Sequence, residues 1–150
     1  MVKVLVISIS TPLLIGIYEN DKLIDTIEME GKTSDILPIL FSDILKKYEV
    51  KELLYVNGPG SYMAIKVAYI FLKTIAITNK IALKACDGFQ FNQNSPIKAL
   101  GKKYFIKKEA EIKIDFIDQD EIKDFELPQE LNMEIFSSDS LPTYNLPAVN

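Results

Sequence analysis

Histidine is absent from this chain. Its absence removes Ser-His-Asp and Cys-His hydrolysis, the HExxH zinc proteases and every other His-ligated metal site. Cysteine is nearly as scarce. Cys86 stands alone, so no internal disulfide forms and the paired spacing of a zinc site is missing, which suits a reducing compartment. Long apolar runs are also lacking: Met63 to Ile77 carries Lys66 and Lys73 and falls short of the roughly 20 residues needed to span a bilayer. The run Val4 to Ile17 has the oiliness of a signal-peptide core, but only Lys3 precedes it, Pro12 interrupts it and no small-residue cleavage site follows. A cytoplasmic protein without a membrane segment is expected. Nor is there an excess of positive charge. The formal net charge is −4, whereas gripping a phosphate backbone requires clustered Lys and Arg; if RNA is involved, another component holds it.

What is present is a core. With 48% apolar residues in 150, a chain of this length hides roughly 70% of the surface it exposes when unfolded. VKVLVISI at 2 to 9 is β-branched and apolar, the pattern of a strand covered on both faces. LLIGIYE at 13 to 19 follows, then the turn residues Glu19-Asn20-Asp21-Lys22, then KLIDTIEM at 23 to 29, which alternates as a half-exposed strand does. These make an antiparallel meander. A helix capped by Ser34 or Asp35 runs to about Tyr48, with Leu37, Leu40, Phe41, Ile44 and Tyr48 on one face. LLYVN at 53 to 57, a helix to about Asn79 and IALKA at 81 to 85 complete a strand-helix-strand unit. A mixed five-stranded α/β sheet results. Beyond Pro96 two strand-like segments, about 97 to 107 and 110 to 117, read as a hairpin, and after Asp118 an acidic, poorly periodic stretch predicts a mobile tail with a short helix or strand at most.

The segment LLYVNGPGSYMAIKVAYIFLKTIA couples a buried strand to a Gly-Pro-Gly turn, a serine at the helix start and a helix. Gly58 and Gly60 allow close approach to the backbone, and the unpaired N–H groups behind Ser61 make an anion site. A strand-to-helix turn also needs glycine and a cap when nothing binds there. The helix itself is apolar over most of its circumference, with Lys66 and Lys73 in one stripe. Ala64, Ala68, Phe71 and Ile75 are expected against the sheet. That leaves a second flank, Ile65, Tyr69, Leu72 and Ala76, covered either by the helix at 35 to 48 or by a partner protein.

VISIST at 6 to 11, ILPIL at 36 to 40 and NGPGSYMAIKVA at 57 to 68, in that order of elements, resemble the N-terminal half of the TsaB (YeaZ) family. The resemblance covers roughly residues 3 to 88, and Leu141-Pro142-Thr143-Tyr144 is similar to the Pro-x-Tyr that closes many members. It implies a fold related to ribonuclease H and the actin-like ATPases, with sheet order 3-2-1-4-5. Residues 1–95 would form the actin-like lobe, and 96–150 a reduced second lobe and tail. Family members are non-catalytic paralogues that support the catalytic subunit TsaD as heterodimer partners, with the ATPase TsaE joining. TsaD transfers a threonylcarbamoyl group to adenosine in the tRNA anticodon loop, so tRNA would reach this chain only through the assembly. A homodimer, and ATP or ADP at a subunit interface, are left open by the resemblance. Ser10 and Thr11 of the first loop join Gly58, Gly60 and Ser61 as the anion-binding candidates that it implies. No catalytic residue and no metal ligand is assigned.

The sequence departs from the family at several points. Ser8 stands where an acidic residue is usual in the first loop and supplies no carboxylate for a magnesium-bound phosphate. Met63-Ala64 replaces Thr-Gly, and Lys66 replaces an Arg, losing bidentate pairing. A nucleotide-hydrolysing enzyme of the actin-like superfamily, or a glycoprotease-like peptidase, is the alternative reading, and it lacks these ligands. The acidic group Asp115, Asp118, Asp120, Glu121 and Asp124 lacks calcium-loop spacing. Lys102, Lys103, Lys107 and Lys108 read as a charged strand edge that discourages pairing, or as a contact for tRNA within an assembly.

Overall fold

The computed structural model describes residues 1–143. Seven elements make the larger part: β1 (Val2–Ile7), β2 (Leu13–Glu19), β3 (Lys22–Met29), α1 (Thr33–Lys47), β4 (Val50–Val56), α2 (Tyr62–Asn79) and β5 (Ala82–Cys86). The sheet order is β3-β2-β1-β4-β5, antiparallel through β3, β2 and β1 and parallel through β1, β4 and β5. This is the mixed sheet expected from the sequence. The Val4–Ile17 run is spent on β1 and β2, its two inner antiparallel strands.

The run of β-branched residues in β1 follows from its central place. Val2, Val4 and Val6 face the helices, whereas Leu5 and Ile7 enter a separate cluster on the opposite face, so both sides of the pleat are buried. β3 alternates because it is the outermost strand. Asn20 and Asp21 turn the chain between β2 and β3 with φ of 52° and 62°, a conformation that short polar side chains tolerate. α1 starts at Thr33, so Ser34 and Asp35 lie inside its first turn; Lys32 holds the cap position with no side-chain hydrogen bond.

The opposite face of the sheet is covered without a long helix. After β5 come a 3-10 turn (Gly88–Phe91) and a small three-stranded sheet of β6 (Ile97–Lys98), β7 (Lys103–Lys108) and β8 (Glu111–Phe116), in the order β6-β7-β8. Residues 122–143 then cross back as a strap. The Glu126 amide donates to the Phe91 carbonyl, Leu23 to Gln129, Leu131 to Asp21, and Ser137 and Ala85 exchange two bonds. The Tyr18 hydroxyl donates to the Pro128 carbonyl at 2.7 Å, and the Tyr55 hydroxyl donates to the Ser140 carbonyl. Phe125, Leu127, Leu131, Met133, Ile135 and Phe136 pack on Leu5, Ile7, Tyr18, Leu54 and Val56.

The mobile tail expected after Asp118 is therefore a core-forming strap across residues 122–143. Its apolar residues have no helical or strand period because an extended segment crossing several strands meets each at a different angle, and so a periodicity search passes over it. The expected division at 95/96 sets β6–β8 apart but cuts the strap from the core it completes. Tyr144, the last residue of the Pro-x-Tyr resemblance, lies outside the described residues.

Candidate functional site

Two features meet at the upper edge of the sheet: a cleft around the Gly-Pro-Gly turn, and the outer face of the two helices. The turn is held from below. Asn57 accepts from the Thr143 amide at 2.8 Å and donates through Nδ2 to Leu141, while the Gly58 carbonyl accepts from the Gly88 amide. Gly58 has φ +139°, a conformation open to glycine alone in practice. Gly60 is needed for contact: a Cβ there would lie 2.6 Å from the Cγ2 of Ile9. That close approach draws the β1–β2 loop against the start of α2.

In consequence Ser10, Thr11 and Ser61 line one cavity of about 560 Å³, together with Ser8, Lys32, Thr33 and Ser34. Gly58 and Gly60 shape it without lining it. Both α1 and α2 begin at this cavity and Lys32 lines it, so two positive dipole ends converge there. Lys32 and Thr33, which belong to no motif in the sequence, and Ser34, expected only as a helix cap, are additional donors; the signal for them is their place at a helix start. Ser61 Oγ accepts from the Ala64 amide at 3.4 Å, a long cap. The Ser10 hydroxyl proton is committed to its own loop, with the Pro12 carbonyl at 2.7 Å. Ser8 is buried and its hydroxyl lies 3.4 Å from the Ala64 carbonyl.

These donors suit the oxygens of an anion. Among the described residues no carboxylate lines the cavity, so a magnesium-bound phosphate would find hydroxyl groups there and no acidic ligand. Among the described residues no three His, Cys, Asp or Glu side chains converge to hold a metal, and no helix is long and apolar enough to cross a membrane. On the far side of the same loop, Ser10 and Thr11 border a second cavity of about 440 Å³, where Glu28, Lys98, Lys123 and Asp124 mix both signs of charge. Cys86 is buried, and burial, reinforced by Asp87, pushes its thiol pKa upward, so it is no nucleophile.

The helix face corrects an expectation. Ile65, Leu72 and Ala76, expected as a docking flank, are buried with Ala68 in the core against the chain's own sheet. Tyr69 is half-buried, its ring 6.3 Å from that of Tyr55. Phe71, expected on the sheet, meets Phe41 of α1 edge to face at 5.5 Å. The helix is thus rotated by about 75° from the expected setting, at about 100° per residue, because a helix apolar nearly all round has no single preferred face.

The uncovered apolar residues are others. Met63, Ile70 and Ile77 stand 61%, 53% and 68% exposed, spaced seven apart and so aligned in one ridge. Between that ridge and α1 runs a groove of about 300 Å³ bounded by Leu37, Pro38, Val67 and Phe71. The heptad spacing of Met63, Ile70 and Ile77 was legible in the sequence but was masked by the lysines beside it.

No family model matches the sequence, and no curated protein does. Solved structures do match. YeaZ from Pseudomonas aeruginosa superposes with a TM-score of 0.60 at 9% identity, over 76% of this chain and 63% of that one. The fold is shared with YeaZ. A structure described as an uncharacterized protein with similarity to peptidase YEAZ, also from Pseudomonas aeruginosa, gives 0.55 at 10% identity over the same shares. The chain thus spans 63% of the length of the YeaZ structures it matches, and at these identities the likeness is one of fold.

Proposed function

We propose that this chain is a non-catalytic partner subunit that binds and supports TsaD in forming threonylcarbamoyladenosine in tRNA. The observation that carries the reading is the uncovered ridge of Met63, Ile70 and Ile77 above the α1–α2 groove, a helix face with the apolar character of a docking surface. The shared YeaZ fold supports it. So does a polypeptide without histidine. In this reading TsaD docks a helix along the ridge, TsaE joins the pair, and tRNA is held by the assembly, in the cytosol. The test is co-expression with TsaD: a tagged chain should bring TsaD down through size exclusion, and the Met63→Asp/Ile70→Asp variant should not. TsaD that elutes apart from the unaltered chain overturns the reading.

The cavity beneath Ser61 supports a second reading, that of a nucleotide-binding protein, because its donors fit phosphate oxygens. Calorimetry with ATP and magnesium separates the two. Turnover by the isolated chain would favour the enzyme.

A further inference from the structure

β8 is the outer strand of the small sheet. Ile112 packs on the cluster of Phe89, Ile97 and Phe105, but the next residues on the same face, Ile114 and Phe116, are 38% and 64% exposed. The apolar face therefore runs past the core that should cover it. Edge strands in stable monomers are blunted by lysines, proline or bulges. β8 has one lysine, Lys113, no proline, and an unbroken register with β7. The lysines expected to guard an edge, Lys103, Lys107 and Lys108, belong instead to the central strand β7, where Lys107 pairs with Asp87 and Lys103 lies over the Phe116 ring. Lys102 immediately precedes that strand.

The direction of the free peptide groups follows from the hairpin. Only Glu109 and Ala110 separate β7 from β8, and Lys108 faces Glu111. In a hairpin so closed the flanking pair is hydrogen-bonded and the pattern alternates from there. Glu111, Lys113 and Asp115 thus turn their peptide groups to β7, and Ile112, Ile114 and Phe116 turn theirs outward. In agreement, the Phe116 amide is taken by the Asp115 carboxylate at 2.7 Å. Among the described residues no backbone bond from another segment reaches β8.

A second β8 laid antiparallel about a two-fold axis must be centred on a residue, so that outward groups meet outward groups. Centring on Lys113 sets lysine against lysine and Glu111 against Asp115. Centring on Asp115 sets aspartate against aspartate. Centring on Ile114 sets Lys113 against Asp115 twice on one face, and on the other sets Ile112 against Phe116 twice with Ile114 against itself. Centring on Ile112 sets Glu111 against Lys113, but it sets Ile114 against the turn residue Ala110 and leaves Phe116 without a partner on the facing strand. Only the Ile114 register pairs opposite charges and also covers both exposed apolar residues, and cross-strand pairs of these types are the stabilising ones. We propose that β8 pairs in this register with β8 of a second copy of the chain, joining two three-stranded sheets into one and covering Ile114 and Phe116. The exposed Lys113–Glu111 contact of 3.9 Å gives way to the Lys113–Asp115 pairs.

Cysteine crosslinking reads the register directly. Across the axis the two Ile114 Cα atoms would stand about 5.5 Å apart, within disulfide reach. The two Ile112 Cα atoms would lie about 14 Å apart, offset by four residues along the strand and by the spacing between strands. Under mild oxidation the Ile114→Cys chain should migrate as a covalent dimer and the Ile112→Cys chain as a monomer, since native Cys86 is buried. Sedimentation should show concentration-dependent dimerisation that Lys113→Asp weakens about tenfold and Lys113→Asp/Asp115→Lys restores. Equal crosslinking at both positions, absence of crosslinking at Ile114, or a charge-swapped pair that fails to recover would overturn the proposal. The helix ridge takes no part in these readouts, so the outcome is independent of TsaD binding.

Discussion

Replacing Leu72 and Ile70 by alanine, one at a time, tests how α2 is seated. Leu72 is fully buried in the cluster formed with Ala68, Ala76 and the helix-facing side of the sheet. Removing three of its carbons deletes buried apolar surface and leaves a cavity that a sheet-backed site closes poorly, a loss of about 3 kcal/mol. For a chain of this size each kcal/mol lowers the melting temperature by about 2–4 °C, so Leu72→Ala should melt about 6–12 °C lower. Ile70 is 53% exposed, and Ile70→Ala should stay within about 0.5 kcal/mol of the unaltered chain. Urea unfolding followed by circular dichroism measures both, with the slope unchanged if the two states are the same. An Ile70→Ala loss as large as that of Leu72→Ala would refute this seating of the helix, and with it the assignment of the outer ridge.

Two further outcomes follow from the same packing. Gly60→Ala places a Cβ 2.6 Å from Ile9 and should cost about 1–3 kcal/mol; combining it with Ile9→Ala should recover part of that loss, a coupling that a double-mutant cycle in urea detects. Burial raises the pKa of both Tyr18 and Cys86, so each stays protonated in the fold where the unfolded chain would release its proton. Stability should accordingly be level from pH 7 to about 8, fall as the unfolded thiol ionises and fall further as the unfolded phenol does, with Cys86 inert to thiol reagents until the chain unfolds; a folded chain that reacts at pH 8 would contradict its placement.

The sheet was legible because its strands are of two readable kinds: β1, β-branched and covered on both faces, and β3, alternating at the edge. The Gly-Pro-Gly turn marked the start of α2, and Ser10, Thr11 and Ser61 do meet in one cavity. Three things escaped. The rotation of α2 could not be read from a helix apolar all round; it is set by Ile65 and Leu72 filling the sheet and by Phe71 meeting Phe41. The strap at 122–143 is held by backbone bonds and by scattered residues such as Leu127, Leu131 and Phe136, none periodic. Lys103 and Lys107 have the composition of an edge yet lie on the central strand, because pairing order within a hairpin-rich sheet is a tertiary property that strand composition does not encode.

Docking of TsaD along the Met63-Ile70-Ile77 ridge, as proposed, is tested by the dissociation constant of TsaD for the unaltered chain and for Met63→Asp/Ile70→Asp, measured by titration calorimetry. Two charges placed at the centre of an apolar interface should weaken binding at least about 100-fold, with the unfolding midpoint of the variant unchanged because both side chains are exposed. Equal affinity in a folded variant would contradict the claim.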